Sequence, residues 1–411
     1  MKSFLLDKRR RERGGIMLIV AVLLAGGVLM GMLALSVDVG QIMYERRQLQ
    51  NGADATSLAL ADACARDTAD CTPGSGTIAA LLGQNAADGA AQYDSSRPGA
   101  GVCGRGVTQL DACAAPNADM ADLAECTPLP PWLADNSAIP YVETYTATET
   151  ASGGDKLLLP FSRVLAGGSA GDKGTTACAR AAWGPPTSHT ATVPVTFSEC
   201  EWQRFMDATG DEYPAGPSGA APGYGGVDQP GWPDAGVERV VKLKDSDSTA
   251  ACTFSNGKDG SGGFGDLKGT GCKATAITNK WILGDPGNNI QNDCKTVLPP
   301  LRGTVIDVPV FDCYYRSNNV YTGPVSGATC NGGSGGQHNY HIAGWAKFYL
   351  SGFSFPGGTV RQPSLLTGNY PCANNETCLS GWFLTGELQA EAISEPGGDN
   401  DYGTYAVLSA G

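Results

Sequence analysis

The chain has 411 residues, with 28 Lys and Arg against 41 Asp and Glu and a formal net charge of −13. The first fourteen residues carry six Lys/Arg against Asp7 and Glu12, a local charge of +4, so the remainder stands at about −17. That acidity excludes nucleic acid as the partner, which requires Lys/Arg clustered on a folded face. With 57 Gly and 25 Pro, long regular helices beyond the first sixty residues are excluded as well.

In chain order, residues 1–15 form a basic segment containing Lys8, Arg9, Arg10, Arg11 and Arg13. Residues 16–37 follow without an ionisable group, and 18 of those 22 are Ala, Val, Ile, Leu or Met. At the helical rise this stretch is about 33 Å long, enough to cross a hydrocarbon core of about 30 Å. Ala34-Leu35-Ser36 has the small residues of a signal-peptidase site, but the apolar run is longer than a signal h-region. Beyond the span Arg46 and Arg47 are the only Lys/Arg before Arg66, so the imbalance places the N-terminus in the cytoplasm and residues 38–411 outside. Inside the span, Gly27-x-x-x-Gly31 and Ala21-x-x-x-Ala25 are small-residue pairs suited to close helix approach and self-association. Asp38 stands where the helix leaves the bilayer, facing either a partner helix or interfacial water.

Residues 38–64 contain no proline, and Leu49, Ala53, Thr56, Leu60 and Ala63 recur at three- and four-residue steps. This predicts one helix from Ile16 to Ala63, about 70 Å long, whose outer half is a stalk inviting partners. Residues 65–155 are Ala/Gly-rich, with a helix at Ile78–Leu82 and a strand at Tyr141–Thr146. Residues 156–350 read as a β-rich domain interrupted by a Pro/Gly-rich loop at 214–236. Its strands include Ala177–Trp183, Thr190–Phe197, Glu238–Lys244, Ala274–Thr278, Gly303–Phe311 and Tyr340–Leu350. In the last, alternation puts Ile342, Gly344, Ala346, Phe348 and Leu350 on a core face and Trp345, Lys347 and Tyr349 on a partly exposed one. Residues 351–411 supply further strands around Gly381–Gly386 and a loose tail. The fold class is α+β: an N-terminal transmembrane helix continuing into an extracytoplasmic helix, then a β-rich, loop-rich exterior containing disulfides.

All 14 cysteines follow the span. An even number on the side read as extracytoplasmic points to disulfides, and the absence of any C-x-x-C argues against zinc. Candidate pairs are Cys372–Cys378 and Cys252–Cys272, which close short loops. Cys200–Cys313 is a third, because Val193–Cys200 and Val308–Cys313 end alike and read as neighbouring strands. Other chemistry-bearing residues are sparse. The pair His338-x-x-His341 points to opposite faces of a strand, and Asp245-Ser-Asp-Ser248 lacks the order of a metal motif. Gly-Tyr-Gly-Gly at 223–226 lacks the strand-to-helix context of a phosphate loop, and no nucleophile has a base within reach of three histidines. No catalytic residue, cofactor site or metal site is expected.

Several N-terminal motifs occur together: Arg11-Glu-Arg-Gly-Gly15, the apolar run, Leu35-Ser-Val-Asp38-Val-Gly40, Tyr44, Arg47-Gln-Leu49-Gln50-Asn51, Ala53-Asp54-Ala55 and Leu58-Ala59. In order and spacing residues 11–60 resemble the N-terminal domain of TadE/TadG-like proteins of the tight-adherence (Flp pilus) system. Ala179-Arg-Ala-Ala-Trp-Gly184 and Val308-Pro-Val-Phe-Asp-Cys313 make the remainder similar to the Cys-bearing exterior of actinobacterial TadG-type members. The resemblance implies a non-catalytic pilus-assembly or anchoring protein whose partners are the membrane and other Tad machinery proteins. It also implies that Gly27, Gly31, Asp38, Leu49, Gln50, Asn51, Ala53, Asp54 and Leu58 form the packing surface of the helix. Cleaved relatives carry Glu shortly after the processing glycine, whereas Gly15 is followed by Ile16-Met-Leu-Ile-Val20, which implies a retained anchor. A membrane-tethered adhesin or ligand-binding domain is the alternative.

Overall fold

The computed structural model describes residues 3–114, 125–166, 168, 171–217, 231–243, 252–253, 259–260, 264–284, 293–328, 330, 332–333, 337–355, 360–388 and 395–411. Within 3–33, side-chain surroundings are described only for 17, 20–22 and 32. The sequences Asp245–Ser248 and Gly223–Gly226 and most of the 214–236 loop lie outside the described residues.

Helix α1 (Ser3–Arg66) runs for 64 residues without a proline, about 95 Å at the helical rise. It ends where Asp67 turns extended and accepts the Ala69 amide at 2.8 Å, and the Cys64–Cys71 disulfide ties the last turn to the loop beyond. Among the described residues no helix is long and apolar enough to cross a membrane, and the span read at Ile16–Val37 falls largely on side chains outside that description.

After α1 come α2 (Gly76–Gln84), β1 (Ala91–Tyr93), β2 (Val102–Arg105), α3 (Pro131–Ala134), β3 (Tyr141–Thr148), α4 (Pro160–Ala166) and β4 (Thr176–Gly184). Next are β5 (Ser188–Ala191), β6 (Val195–Ser198), α5 (Glu199–Thr209), β7 (Arg239–Lys242), β8 (Cys252–Thr253), β9 (Asp259–Gly260), β10 (Phe264–Asp266), β11 (Ala274–Ile277) and β12 (Trp281–Leu283). The chain finishes with α6 (Cys294–Leu301), β13 (Val305–Ser317), β14 (Gly332–Gly333), β15 (Gln337–Ser354), β16 (Arg361–Gln362), β17 (Cys378–Leu384), β18 (Gly386–Glu387) and β19 (Thr404–Ser409).

Two main sheets result. The first has the order β1-β3-β4-β19-β18, with β2 also on β3. The Ala/Gly-rich region is therefore part of a sheet, and residues 404–409 are a strand in it instead of a loose tail. What holds them is the ladder from Ala406↔Gly184 to Ser409↔Ala181, continued by the Arg180 amide donating to the Gly411 carbonyl at 2.5 Å. The period of two in β3 and β4 separates the sheet's faces. Val142, Thr144 and Thr146 stand opposite Ala181, Ala179 and Ala177 on one face, while Glu143 stands opposite Arg180 on the other. There Arg180 and Glu143, both fully buried, form an ion pair at 2.5 Å, Tyr145 donates its hydroxyl to Glu143 at 2.7 Å, and Arg180 also donates to the carbonyls of Thr127 and Ala410.

The second sheet has the order β10-β6-β13-β15-β17-β7, with β12, β14 and β16 paired at its margins. Strands β13 and β15 form its spine, in register from Val305↔Tyr349 to Ser317↔Gln337. Trp345 and Tyr349 are buried, not partly exposed, because β15 has packing on both faces: Phe348 and Tyr349 enter one apolar cluster, Ile342 and Trp345 a second. Helix α5 covers Phe383 with Phe205, ring centroids 5.4 Å apart. The sheets are joined covalently where β17 runs into β18, and by the Thr404 hydroxyl donating to the Trp345 carbonyl at 2.6 Å.

Disulfides join Cys103–Cys113, Cys126–Cys178, Cys272–Cys294, Cys313–Cys330 and Cys372–Cys378 besides Cys64–Cys71. Two expected pairs do not form. Strands β6 and β13 are neighbours, parallel at Val310↔Phe197, but Ser198 caps α5 and turns Cys200 into the helix, leaving Cys313 to Cys330. Cys272, at the turn before β11, meets Cys294 at the start of α6 and not Cys252.

The buried ion pair makes a prediction. Removing one partner, by Glu143→Gln or Arg180→Met, leaves an uncompensated buried group and is expected to cost about 3–5 kcal/mol. Replacing both together should cost less than the sum, as read by denaturant unfolding of the four members of the cycle.

Candidate assembly interface

Helix α1 has two faces over its outer half. At about 100° per residue, Asp38, Glu45, Leu49, Ala53, Thr56, Leu60 and Cys64 fall on one side, and all are buried. Opposite them Tyr44, Arg47, Asn51 and Leu58 are exposed, Tyr44 to 61 %.

The buried side lies on the first sheet. Ala177, Ala179 and Ala181 on β4 have little bulk, and Ala53 and Ala61 on the helix match them, so backbone and backbone come close. The Thr144 hydroxyl donates to the Ala53 carbonyl at 2.9 Å and the Thr146 hydroxyl to the Leu49 carbonyl at 3.1 Å. Gln50 donates through its side-chain amide to the Cys178 carbonyl at 2.9 Å and to Asp54 at 3.1 Å. Further out the Tyr405 hydroxyl donates to Asp62 at 3.0 Å, and burial together with that carboxylate pushes the phenol pKa up. Asp38, buried, accepts the backbone amides of Phe161 at 3.4 Å and Ser162 at 2.6 Å at the start of α4, so its carboxylate is engaged within the chain.

The residues proposed from sequence as one packing surface are thus divided. Leu49 and Ala53 are consumed by the chain's own sheet, Gln50 and Asp54 are half-buried at its edge, and Asn51 and Leu58 face outward. Gly27 and Gly31 belong to α1, outside the described side chains. The alternation of alanine in Thr176–Gly184 was the available signal for a helix seat, since three small residues on one strand face leave room for a backbone.

Among the described residues, the histidines and the Cys/Glu cluster are engaged with neighbouring groups. His338 and His341 do not converge: His341 bonds Asp312 at 2.7 Å, while His338 accepts from Arg316 at 3.1 Å. Cys103, Cys113 and Glu143 lie together, but the two sulfurs are bonded to each other and Glu143 is taken by Arg180 and Tyr145. His189 and Lys347 meet Asp307 at 3.2 and 2.9 Å beside an open cleft. Burial opposes ionisation of Asp307, yet the bonds from His189 and Lys347 outweigh it and hold the carboxyl below its ordinary range.

Comparison with known proteins bears on α1 alone. Residues 14–69 match the family model "Putative Flp pilus-assembly TadE/G-like". The match supports a role connected with Flp pilus assembly at the cell envelope. No curated protein and no solved structure matches the chain.

Two outcomes are expected. Ala53→Leu should overpack the helix seat and destabilise by about 1–3 kcal/mol. The outward Asn51→Ala should stay within about 0.5 kcal/mol, both read by denaturant unfolding. Because the Asp307 pKa is depressed on folding, its contribution is present above the unfolded value of about 4 and is lost as pH falls through the folded one. Asp307→Asn should therefore flatten the fall of the unfolding midpoint below about pH 4. Parallel pH profiles for the two proteins would refute the assignment.

Proposed function

We propose that the chain is a non-catalytic, TadG-type Flp pilus-assembly or anchoring protein, held in the membrane by Ile16–Val37 with residues 38–411 outside. The apolar run, the basic residues before it and the confinement of all 14 cysteines to the far side support the topology. Tad machinery proteins are the partners, met through the outward face of α1. One observation carries this reading: within the family-matched helix Leu49 and Ala53 are used internally, whereas Tyr44, Arg47, Asn51 and Leu58 remain presented. Self-association through Gly27 and Gly31 belongs to the same proposal.

A membrane-tethered ligand-binding exterior is the second reading. Its support is a cleft lined by Trp281, Tyr321 and His341, with Trp281 edge-on to Tyr321 at 4.9 Å and to His341 at 5.2 Å. Exchanging the anchor separates the two readings, and the exchange has to stop at residue 37, because the helix beyond it is part of the sheet's core.

In cells, Tyr44→Ala combined with Arg47→Glu is expected to reduce surface piliation to the level of a deletion strain, while the free energy of unfolding stays within about 0.5 kcal/mol of the parent. Normal piliation from that variant, with the protein present at the membrane, would overturn the interface.

A further inference from the structure

Where α1 emerges from its apolar run, a second element stands beside it. Phe161 and Val164, 41 and 81 % exposed, lie three residues apart on one side of α4, and Leu158, 64 % exposed, stands in the segment that leads into it. Single exposed apolar residues are ordinary, but three within seven residues form a patch. The segment is built to hold them out. The Leu157 amide donates to the Lys173 carbonyl at 3.0 Å, closing the loop, and Asp172 accepts the Leu159 amide at 3.3 Å and both arms of Arg163 at 2.7 and 2.6 Å.

The height of this loop is fixed by Asp38. Its carboxylate, 2 % exposed, takes the Ser162 and Phe161 amides and so pins the start of α4 to α1. Asp38 is also the first ionisable residue after Ile16–Val37, one helical step from the apolar run. An α1 that crosses a bilayer therefore places α4 at the bilayer's outer edge. On α1 itself Leu35 and Val37 are exposed at this level, which continues the apolar surface. Lys156 and Lys173, both exposed, flank the patch, with the exposed Asp155 beside Lys156 and the buried Asp172 already paired with Arg163.

We propose that α4 is a second membrane contact, lying in the interface of the same bilayer that α1 crosses. Leu158, Phe161 and Val164 enter the boundary of headgroups and acyl chains, and Lys156 and Lys173 meet anionic headgroups. The inference rests on the anchor reading above. It adds that the exterior is held at a fixed tilt on the membrane by two elements, where α1 alone would leave it to pivot.

The test uses the full chain reconstituted in vesicles of phosphatidylethanolamine and phosphatidylglycerol, with photoreactive benzoylphenylalanine at one position at a time. Val164 is the probe, Val22 reports the span and Ile277, exposed on β11, reports background. Lipid adducts are identified by mass spectrometry. The expected result is adducts at Val22 and at Val164, the latter about tenfold or more above Ile277, the ratio one buried apolar side chain supports. Adducts at Val22 with background at Val164 overturn the α4 contact while leaving the anchor intact, and so do adducts at Val164 to protein in place of lipid. Background at Val22 as well removes the anchor and the inference together. Replacing phosphatidylglycerol by phosphatidylcholine should lower the Val164 yield, and Lys156→Glu with Lys173→Glu should abolish that dependence. A yield indifferent to both changes refutes the headgroup contact.

Discussion

Thr144 and Thr146 donate their hydroxyls to the carbonyl oxygens of Ala53 and Leu49, and that contact between a strand face and a helix backbone governs the molecule. A helical carbonyl already accepts the amide four residues on, so a second donor can reach it only at very short range. Such approach needs small residues on both surfaces, supplied by Ala53 and Ala61 on the helix and Ala177, Ala179 and Ala181 on the strand, none exposed. Leu49 and Leu60 then bury whole side chains, each worth about 1.5–3 kcal/mol. The threonine hydroxyls, closed off from water, would be costly without their partners.

From this seat the rest of the architecture follows. The same strands that receive α1 turn Glu143 and Arg180 to the opposite face, where the Cys103–Cys113 and Cys126–Cys178 disulfides tie β2 and β4 to the segments beyond and Arg180 holds the Thr127 carbonyl. Arg180 also fixes Ala410 and Gly411, which keeps β19 beside β4, and β19 is reached from the second sheet through β17 and β18. The 64-residue helix is therefore continuous, through one sheet, with the β-rich remainder. In the proposed arrangement, whatever α1 docks against in the envelope sets the orientation of the exterior directly.

Much of this was legible in the sequence. The absence of proline to Arg66, the stripe through Leu49, Ala53 and Leu60, the β-branched residues of β6 and β13, and the aromatic-rich β15 are local signals, and local hydrogen bonding obeys them. What the stripe faces was not local. A mildly apolar helix face reads alike whether it awaits a partner or a strand ninety residues on, so Leu49 and Ala53 looked available for assembly. Cys200 misled for a related reason: its strand does lie beside that of Cys313, but the Ser198 cap turns the chain one residue too soon. Tyr349 and Trp345 alternate as a half-exposed strand should, and only the tertiary packing on both faces of β15 buries them. The loop at α4 carried no readable signal beyond its apolar residues, since its position depends on Asp38, more than a hundred residues away.

Hydrogen exchange of the full chain in lipid nanodiscs tests the central claim most directly. If the outer half of α1 is a core element of the first sheet, the amides of residues 49–64 exchange as slowly as those of β3 and β4 and are released with them in denaturant. Exchange of residues 49–64 at the rate of a solvated helix, while β3 and β4 stay protected, would show a free stalk and contradict the account.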